Sequence, residues 1–449
     1  MNYRILTQAI SDTLASGDMQ SLRTFVRDEH AADVAAFIAT MEPVEAWKML
    51  DLIPLGQRAE VFGYLEPDFQ VELAQAVSRQ KLAELVTEMP SDERADLFNT
   101  LSPEQQEALL PALAHAERED LRRLAAHAED TAGAIMTSDY AVLTPGITAS
   151  QALEKLRHEA PDKETIYRAY VVDSERRLVG SVRLQSLILA APSTPIEKVM
   201  ERRTLEVNVD DDQEDVARKI ADYDVIALPV VDAGNRLVGI VTYDDAMDVL
   251  VEEATEDFHR IGAAGKMVTS LRDASIGTLY SKRVSWLVML VFANLLSGAG
   301  IAYYEDTISA YVALVFFLPL LVASAGNAGS QATTLTVRAI ATGEVVMRDW
   351  GLLLGREILV ATLLGVTMAL AVSLIGLVRG GPEIALVVAL TMVIVVLVGS
   401  LIGVALPFAL NRLGVDPATA SAPLVTSLAD AAGVMVYFAI ATAILLPAA

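Results

Sequence analysis

Hydrophobic and polar positions divide this chain into three kinds of stretch. Up to about residue 130, short amphipathic segments are punctuated by prolines, in "MEP" at 41, "LEP" at 65, "EMP" at 88 and "LSP" at 101. Pro43, Pro67 and Pro90 fall 24 and 23 residues apart. A proline starts or stops each helix and no single repeat buries its own apolar face, so the spacing predicts short helices stacked into a superhelix. An irregular helical bundle satisfies the same pattern. After Lys282 and Arg283 the charges thin out: 284–304, 307–337, 358–378 and 384–411 hold none, and 417–449 holds only Asp430. Each gap exceeds the roughly 18 apolar residues that mark a spanning helix. Five transmembrane helices are therefore predicted, which puts the two ends of this region on opposite sides of a membrane.

Between these regions lies an internal repeat. "AYVVDSERRLVGSVRLQSLI" at 169 and "LPVVDAGNRLVGIVTYDDAM" at 228 align at a constant offset of 59, Asp173 with Asp232 and Gly180 with Gly239. Each copy reads helix, strand, turn, strand, helix. The pair resembles tandem CBS domains. That resemblance implies adenine-nucleotide binding through a Gly-x-x-Thr-x-x-Asp signature, kept in the second copy as Gly239, Thr242 and Asp245. The first copy has Arg183 and Ser186 at the Thr and Asp positions. ATP binding and a purely structural, dimerising role both stay open.

Charge separates the two halves further. The 449 residues are 53 % hydrophobic, too apolar for an average soluble protein. From Ile276 onward there are seven basic and eight acidic residues; removing them from totals of 34 and 58 leaves 27 and 50, a charge of −23 before the membrane region. Such a module repels nucleic acid and attracts cations. Zero cysteines excludes disulfides and thiolate metal sites, leaving oxygen and imidazole as ligands. The opening "MNYRILTQAISDTLASGD" has no apolar core of signal-peptide length, so the N-terminal part is expected in the cytoplasm. Basic loop residues agree: Lys282, Arg283, Arg338, Arg348, Arg356 and Arg412 fall inside and only Arg379 outside. The expected location is the plasma (inner) membrane, with several passes through the lipid bilayer.

Two features carry candidate chemistry. Asp430 stands in the last apolar segment, and an acid at helix depth faces a cavity, an ion or a polar neighbour that holds it for helix packing. Counted from Ala422 it lies roughly 12 Å along a helix at about 1.5 Å per residue, too deep for a short side chain to reach water. In the second segment, Gly326, Asn327, Gly329, Ser330 and Gln331 form a polar stretch of the kind tolerated where it lines water. All five histidines lie outside the membrane part, so oxygen ligands remain, which suits hydrated Mg2+ held by one or two carboxylates. One carboxylate per chain argues for a two-fold pore. Pro319 and Pro407 are expected to bend their helices. Between repeat and membrane, Asp245, Asp248, Glu252 and Glu256 recur at helical spacing on one face, where like charges repel.

"EDTAGAIMT" at 129, the paired repeats, "GNAGSQATTLTVRAIATGE" at 326 and "GVDPATASAPLVTSLADAAGVMVYF" at 414 together resemble the MgtE magnesium channel family, in its usual order over nearly the whole chain. The resemblance implies a homodimeric, Mg2+-gated Mg2+ channel. Its domains would be a helical N domain (1–130), a CBS pair (131–255), a connecting plug helix (244–275) and a five-helix pore domain (276–449). It implies a pore site at Asp430 with Thr426 and Asn327. It also implies cytoplasmic sensor sites, for which Glu60, Asp92, Asp96, Glu214, Asp224, Asp245, Asp248, Glu253, Glu256 and Asp257 match. No enzyme is expected: "GAAGK" at 262 lacks the spacing of a phosphate loop, and no His-Glu-x-x-His occurs. The competing reading is a secondary divalent-cation transporter coupled to H+ or Na+; a membrane-anchored nucleotide sensor is a third.

Overall fold

The computed structural model describes residues 25–262 and 274–446, and the chain divides into two compact units, Met1–Val251 and Glu252–Ala449. The first unit opens with short helices: α1 (Ala31–Ile38), α2 (Pro43–Leu50), α3 (Leu55–Gly63), α4 (Pro67–Ala76), α5 (Arg79–Glu88), α6 (Ser91–Thr100), α7 (Pro103–Leu109) and α8 (His115–Leu124). Prolines start five of the eight. Pro43, Pro67 and Pro103 are first residues, and Pro54 and Pro90 stand immediately before α3 and α6. At a first turn the missing N–H had no intrahelical partner anyway, and the ring presets φ. Where proline is absent, Ser78 caps α5 by accepting from the Lys81 amide.

Each helix packs on the one two places along: α1 on α3, α2 on α4, α3 on α5, α4 on α6, α5 on α7 and α6 on α8. The superhelical reading is therefore the one observed, and Ile38, Leu50, Phe62, Leu73, Leu85, Leu97 and Leu109 form its continuous core.

The repeat follows, with β1 (Tyr140–Leu143), α9 (Ala149–Glu159), β2 (Thr165–Val172), β3 (Leu178–Arg183) and α10 (Leu184–Leu189). Its second copy holds β4 (Val207–Asn208), α11 (Gln213–Asp222), β5 (Ala227–Val231), β6 (Leu237–Thr242) and α12 (Tyr243–Ile261). Each copy is a three-stranded sheet, with the first strand parallel to the second and the second antiparallel to the third. The aligned acids do the same job twice. Asp173 Oδ1 accepts from the amides of Glu175 and Arg177, and Asp232 Oδ1 from those of Gly234 and Arg236, closing the hairpin turns. Tyr140, Tyr170, Leu178, Leu237 and Ile240 join the two sheets in one core. The parallel strands β1 and β4 escaped the sequence pattern.

The second unit contains α13 (Ile276–Tyr303), α14 (Glu305–Ala310), α15 (Ala313–Ala341), α16 (Trp350–Arg412) and α17 (Ala422–Leu445). Among the described residues, four helices have the length and apolarity to cross a membrane. The expected count of five meets one helix bent in two. The 63-residue α16 leaves helical geometry at Gly381, with φ 80° and ψ −176°. Pro382 disfavours helical backbone at the residue before it, and glycine alone takes this φ without strain. Its limbs, 350–380 and 382–412, are each long enough to span roughly 30 Å of hydrocarbon. The expected bends at Pro319 and Pro407 lie inside helix, in α15 and in the second limb of α16. Of the expected plug helix, α12 describes the part up to Ile261, and 263–273 lie outside the described residues.

Helices α15 and α16 touch through glycine. A Cβ on Gly399 would fall 2.3 Å from the Ala325 carbonyl oxygen, and one on Gly403 2.2 Å from that of Gly329. Backbone so close gives packing contacts that lipid tails cannot supply. Thr333 adds a hydrogen bond to the Gly403 carbonyl at 2.9 Å. The outer faces, with Leu295, Leu359, Leu363 and Leu370 exposed, suit hydrocarbon rather than water.

Candidate cation sites

Asp430 occupies the third turn of α17, where that helix meets the middle of α15. The contact depends on Gly326: a Cβ there would fall 2.9 Å from Thr426 Cγ2 and 3.3 Å from Asp430 Oδ1. Ser330, one turn along α15, bonds the Thr426 hydroxyl at 3.1 Å. Asp430 Oδ1 is buried and has no hydrogen-bond partner among the described residues. Asn327 lies exposed beside Gly326, without a hydrogen bond to Asp430 or Thr426 within the chain. The structure therefore joins Asp430 with Thr426 and puts Asn327 on the adjoining open face. A deep carboxylate oxygen left over after helix packing is what an ion, or its water shell, satisfies.

The second site lies within the first unit, where the start of α6 meets the β6–α12 junction. Local sequence builds the joint. Ser91 Oγ bonds Thr137 Oγ1 at 2.9 Å and accepts from the Ser138 amide at 2.8 Å, while the Thr137 amide donates to the Ile240 carbonyl at 2.8 Å. This brings Asp92 and Glu93 of α6 into electrostatic reach of Asp245 and of Glu164 at the edge of β2, with Asp96 acting on both α6 acids and Asp244 on Asp245 and Glu164. Glu93 lies over Gly63 of α3, where any Cβ would collide with its carboxylate.

Burial, first, and then neighbouring carboxylates raise these acids. Asp92 and Asp245 are pushed well above the usual carboxylate range by burial, with the Asp92 charge the next cause for Asp245. Glu93 rises to about 8 through burial and then the charges of Asp92, Glu164 and Asp245, and Glu164 to about 6 through burial and then Asp244 and Asp245. Asp92 Oδ1 and Glu93 Oε2 are buried without a hydrogen-bond partner among the described residues. Several carboxylates thus face one another with lone pairs unspent, an arrangement that protons or a cation relieve. Among the described residues no three His, Asp or Glu side chains converge to chelate a bare ion; hydrated Mg2+ asks for less, one or two carboxylates acting partly through its waters.

Of the acids matched from sequence, Asp92, Asp96 and Asp245 meet here. Glu93, Glu164 and Asp244 were missed. Their signal was absent from the chain order, since Glu93 reads as an ordinary first-turn acid and Glu164 is brought in by sheet pairing. The others lie elsewhere in the chain. Glu60 is exposed on α3. Glu214 pairs with Arg218 at 2.6 Å. Asp224 sits at positive φ before β5. On α12, Asp248 is raised by burial and by Asp244, Glu253 and Asp257 follow along the same helix, and Glu256 pairs with Arg260, which also pairs with Asp416.

The Thr242–Asp245 signature lies in the acid cluster, with Thr242 buried. The Thr242 hydroxyl donates to Asp245 Oδ2 at 2.5 Å, and Asp245 faces Asp92. A cleft of about 550 Å³ is lined instead by Tyr167, Arg168, Arg183, Ile188 and Ile226.

Comparison with known proteins covers the whole arrangement. Residues 29–130 match the family described as MgtE intracellular N domain, 132–193 and 196–252 match CBS domain, and 318–440 match the MgtE family described as divalent cation transporter. The chain is 38 % identical over 445 residues to the magnesium transporter MgtE of Thermus thermophilus, covering 98 % of each, and 32 % identical to that of Bacillus subtilis, covering 99 % of this chain and 98 % of the relative. Among solved structures, the cytosolic domain of the Mg2+ channel MgtE in complex with ATP is 37 % identical, with TM-score 0.52, over 54 % of this chain and 99 % of that one. The soluble part of a magnesium transporter is 31 % identical, with TM-score 0.52, over 56 % of this chain and all of that one.

Proposed function

The chain belongs to the MgtE family of magnesium transporters, and from that premise we propose that it is a Mg2+-selective channel shut by cytoplasmic Mg2+. The observation that carries conduction is the buried, unbonded carboxylate oxygen of Asp430, held against Gly326 by helix packing. One such acid per chain is little for a divalent cation, so the working unit is a homodimer whose two Asp430 side chains face a hydrated ion, with Thr426 and Asn327 beside them. Hydroxyl and amide oxygens there orient water of the ion's shell, and the low dielectric strengthens the carboxylates' hold. Thr426 already touches Ser330, so its hydroxyl is fixed in place.

Closure rests on the acids of the first unit and of α12. Without divalent cation, Asp92, Glu93, Asp245 and Glu164 repel and penalise the packing of α6 on the β6–α12 junction. With Mg2+ the penalty is lifted, and α12, which continues directly from β6 toward the membrane segments, is drawn into the closed state. Asp248, Glu253, Glu256 and Asp257 extend the same response along α12, and Glu60, Glu214 and Asp224 would contribute to bridges across the dimer. A ligand shifts such an equilibrium by its differential affinity for the two states. An adenine nucleotide is placed in the cleft at Tyr167 and Ile226 rather than at Thr242 and Asp245, because that cleft is open and has aromatic and apolar walls; the ATP complex of a relative supports nucleotide binding as such.

The test is ion flux in liposomes reconstituted with the purified protein, across Mg2+, Co2+, Ni2+, Mn2+ and Ca2+, beside Asp430→Ala. Mg2+ flux that is abolished by Asp430→Ala and indifferent to an imposed H+ or Na+ gradient supports the channel. Flux that requires such a gradient establishes the coupled transporter instead.

A further inference from the structure

The cytoplasmic half is strongly acidic, yet in one cleft of the first unit four basic residues outnumber the two acids, Asp120 and Glu159. The cleft measures about 440 Å³ and lies between α8, the start of β1 and α9, with Arg123, Lys155, Lys163 and Arg176 around it. Two of the four are balanced: Arg123 pairs with Asp120, and Lys155 with Glu159 at 3.7 Å. Among the described residues no carboxylate pairs with Lys163 or Arg176.

Arg176 supplies an independent observation. Its backbone is left-handed, with φ 65°, a conformation that costs most residues energy but that asparagine tolerates. The internal repeat shows the ordinary solution, because at the offset of 59 the second copy has Asn235, with φ 59°, its side-chain amide donating to the Leu178 carbonyl at 3.3 Å. The first copy accepts the strain for a guanidinium. That group donates to Tyr140 Oη at 2.9 Å, and Tyr140 in turn donates to the Leu237 carbonyl at 3.1 Å, fixing the arginine on the floor of the cleft. One of its five N–H groups is used there, leaving the planar fork to meet an anion.

The geometry points to a site for a small polyphosphate anion, the shared chemistry of inorganic tripolyphosphate and of a nucleotide's phosphate tail, gripped by Arg176 and Lys163 with Arg123 and Lys155 at the rim. Arginine forks match phosphate oxygens two at a time, and lysine adds a mobile point charge. The walls offer too little apolar surface to hold a base. A ligand here ties α8 of the helical stack to α9 of the first repeat copy, and so favours one packing of the two. The site shares no acid with the acid cluster and no lining residue with the cleft at Tyr167.

The experiment is calorimetric titration of the full chain in detergent with inorganic tripolyphosphate, ATP and AMP, in EDTA because polyphosphates chelate Mg2+, at near-physiological salt. Tripolyphosphate should bind saturably and AMP should not bind at this site. Lys163→Glu and Arg176→Asn, the latter reproducing the second copy's residue and so compatible with the fold, should each weaken tripolyphosphate at least tenfold. Arg183→Glu, in the other cleft, should leave it unchanged. Absence of saturable tripolyphosphate binding, undiminished binding in both variants, or an equal loss in Arg183→Glu overturns the assignment. Binding of ATP with none of tripolyphosphate also overturns it, since a base would then be required.

Discussion

Replacing Glu93 with Gln removes one charge from the acid cluster and almost no volume. In the native protein this carboxyl is raised from 4.5 to about 8, mainly by burial and then by Asp92, Glu164 and Asp245. At about 1.4 kcal/mol per pKa unit, keeping Glu93 ionised costs roughly 5 kcal/mol; relaxation and water penetration leave something on the order of 1–3 kcal/mol, a factor of about 5–150. Glutamine keeps the hydrogen-bonding capacity and can donate to the neighbouring carboxylates. In EDTA at pH 8, Glu93→Gln should therefore stabilise the packing of α6 on the β6–α12 junction. Hydrogen exchange of the full chain in detergent reads this directly, as amide protection in 91–100 and 134–140 raised by that factor. Addition of Mg2+ should protect the native protein more than the variant, because less repulsion remains to relieve. Unchanged or weaker protection in the variant, with an undiminished Mg2+ response, would refute the view that repulsion between these acids is what Mg2+ removes.

The same shifts fix a pH dependence. For an acid whose folded pKa is raised, the penalty is absent below its ordinary value near 4 and accrues as pH climbs toward the folded value, here about 8 for Glu93 and about 6 for Glu164. Mg2+-free closure should be easiest in acid, and the Mg2+ concentration for half-maximal protection of 91–100 should be higher at pH 6 than at pH 8, where fewer protons compete; equal midpoints would contradict this. In the membrane unit, Gly399→Ala and Gly403→Ala force a methyl against backbone oxygens at 2.3 and 2.2 Å, so each should lower thermal stability in detergent by several degrees, on the scale of about 2–4 kcal/mol for strain at a packed contact. Gly298→Ala meets nothing within 4 Å and should be neutral; equal effects at all three would contradict the packing argument.

Features written in one dimension were legible in the sequence. Proline spacing gave helix starts because proline acts locally, the 59-residue offset gave the repeat, and charge-free gaps gave the membrane segments. The bend at Gly381 was visible only as an interruption between gaps, since the helix resumes at once on its far side. Asp430 stood out because an acid in an apolar span has no cheap explanation. What the sequence hid depends on tertiary packing. Glu93 and Glu164 are 71 residues apart and meet because the Ser91–Thr137 and Thr137–Ile240 bonds bring α6 to the edge of the sheets. The Thr242 and Asp245 signature reads as a nucleotide site in the sequence, whereas the fold buries Thr242 and sets Asp245 against Asp92 of α6, and a cleft forms beside Arg183, where the first copy departs from the signature. Strands β1 and β4 are too short to show alternation and exist through pairing with β2 and β5.

The central claim is that the ion passing Asp430 closes its own path. Single-channel recording from excised patches tests it, with cytoplasmic Mg2+ stepped from micromolar to millimolar. The native protein should pass unitary Mg2+ currents that vanish reversibly in millimolar Mg2+, and the variant with Asp245, Asp248, Glu256 and Asp257 all replaced by Ala should keep passing them. Native currents that persist in millimolar Mg2+, or a variant that closes at the native concentration, would contradict the account.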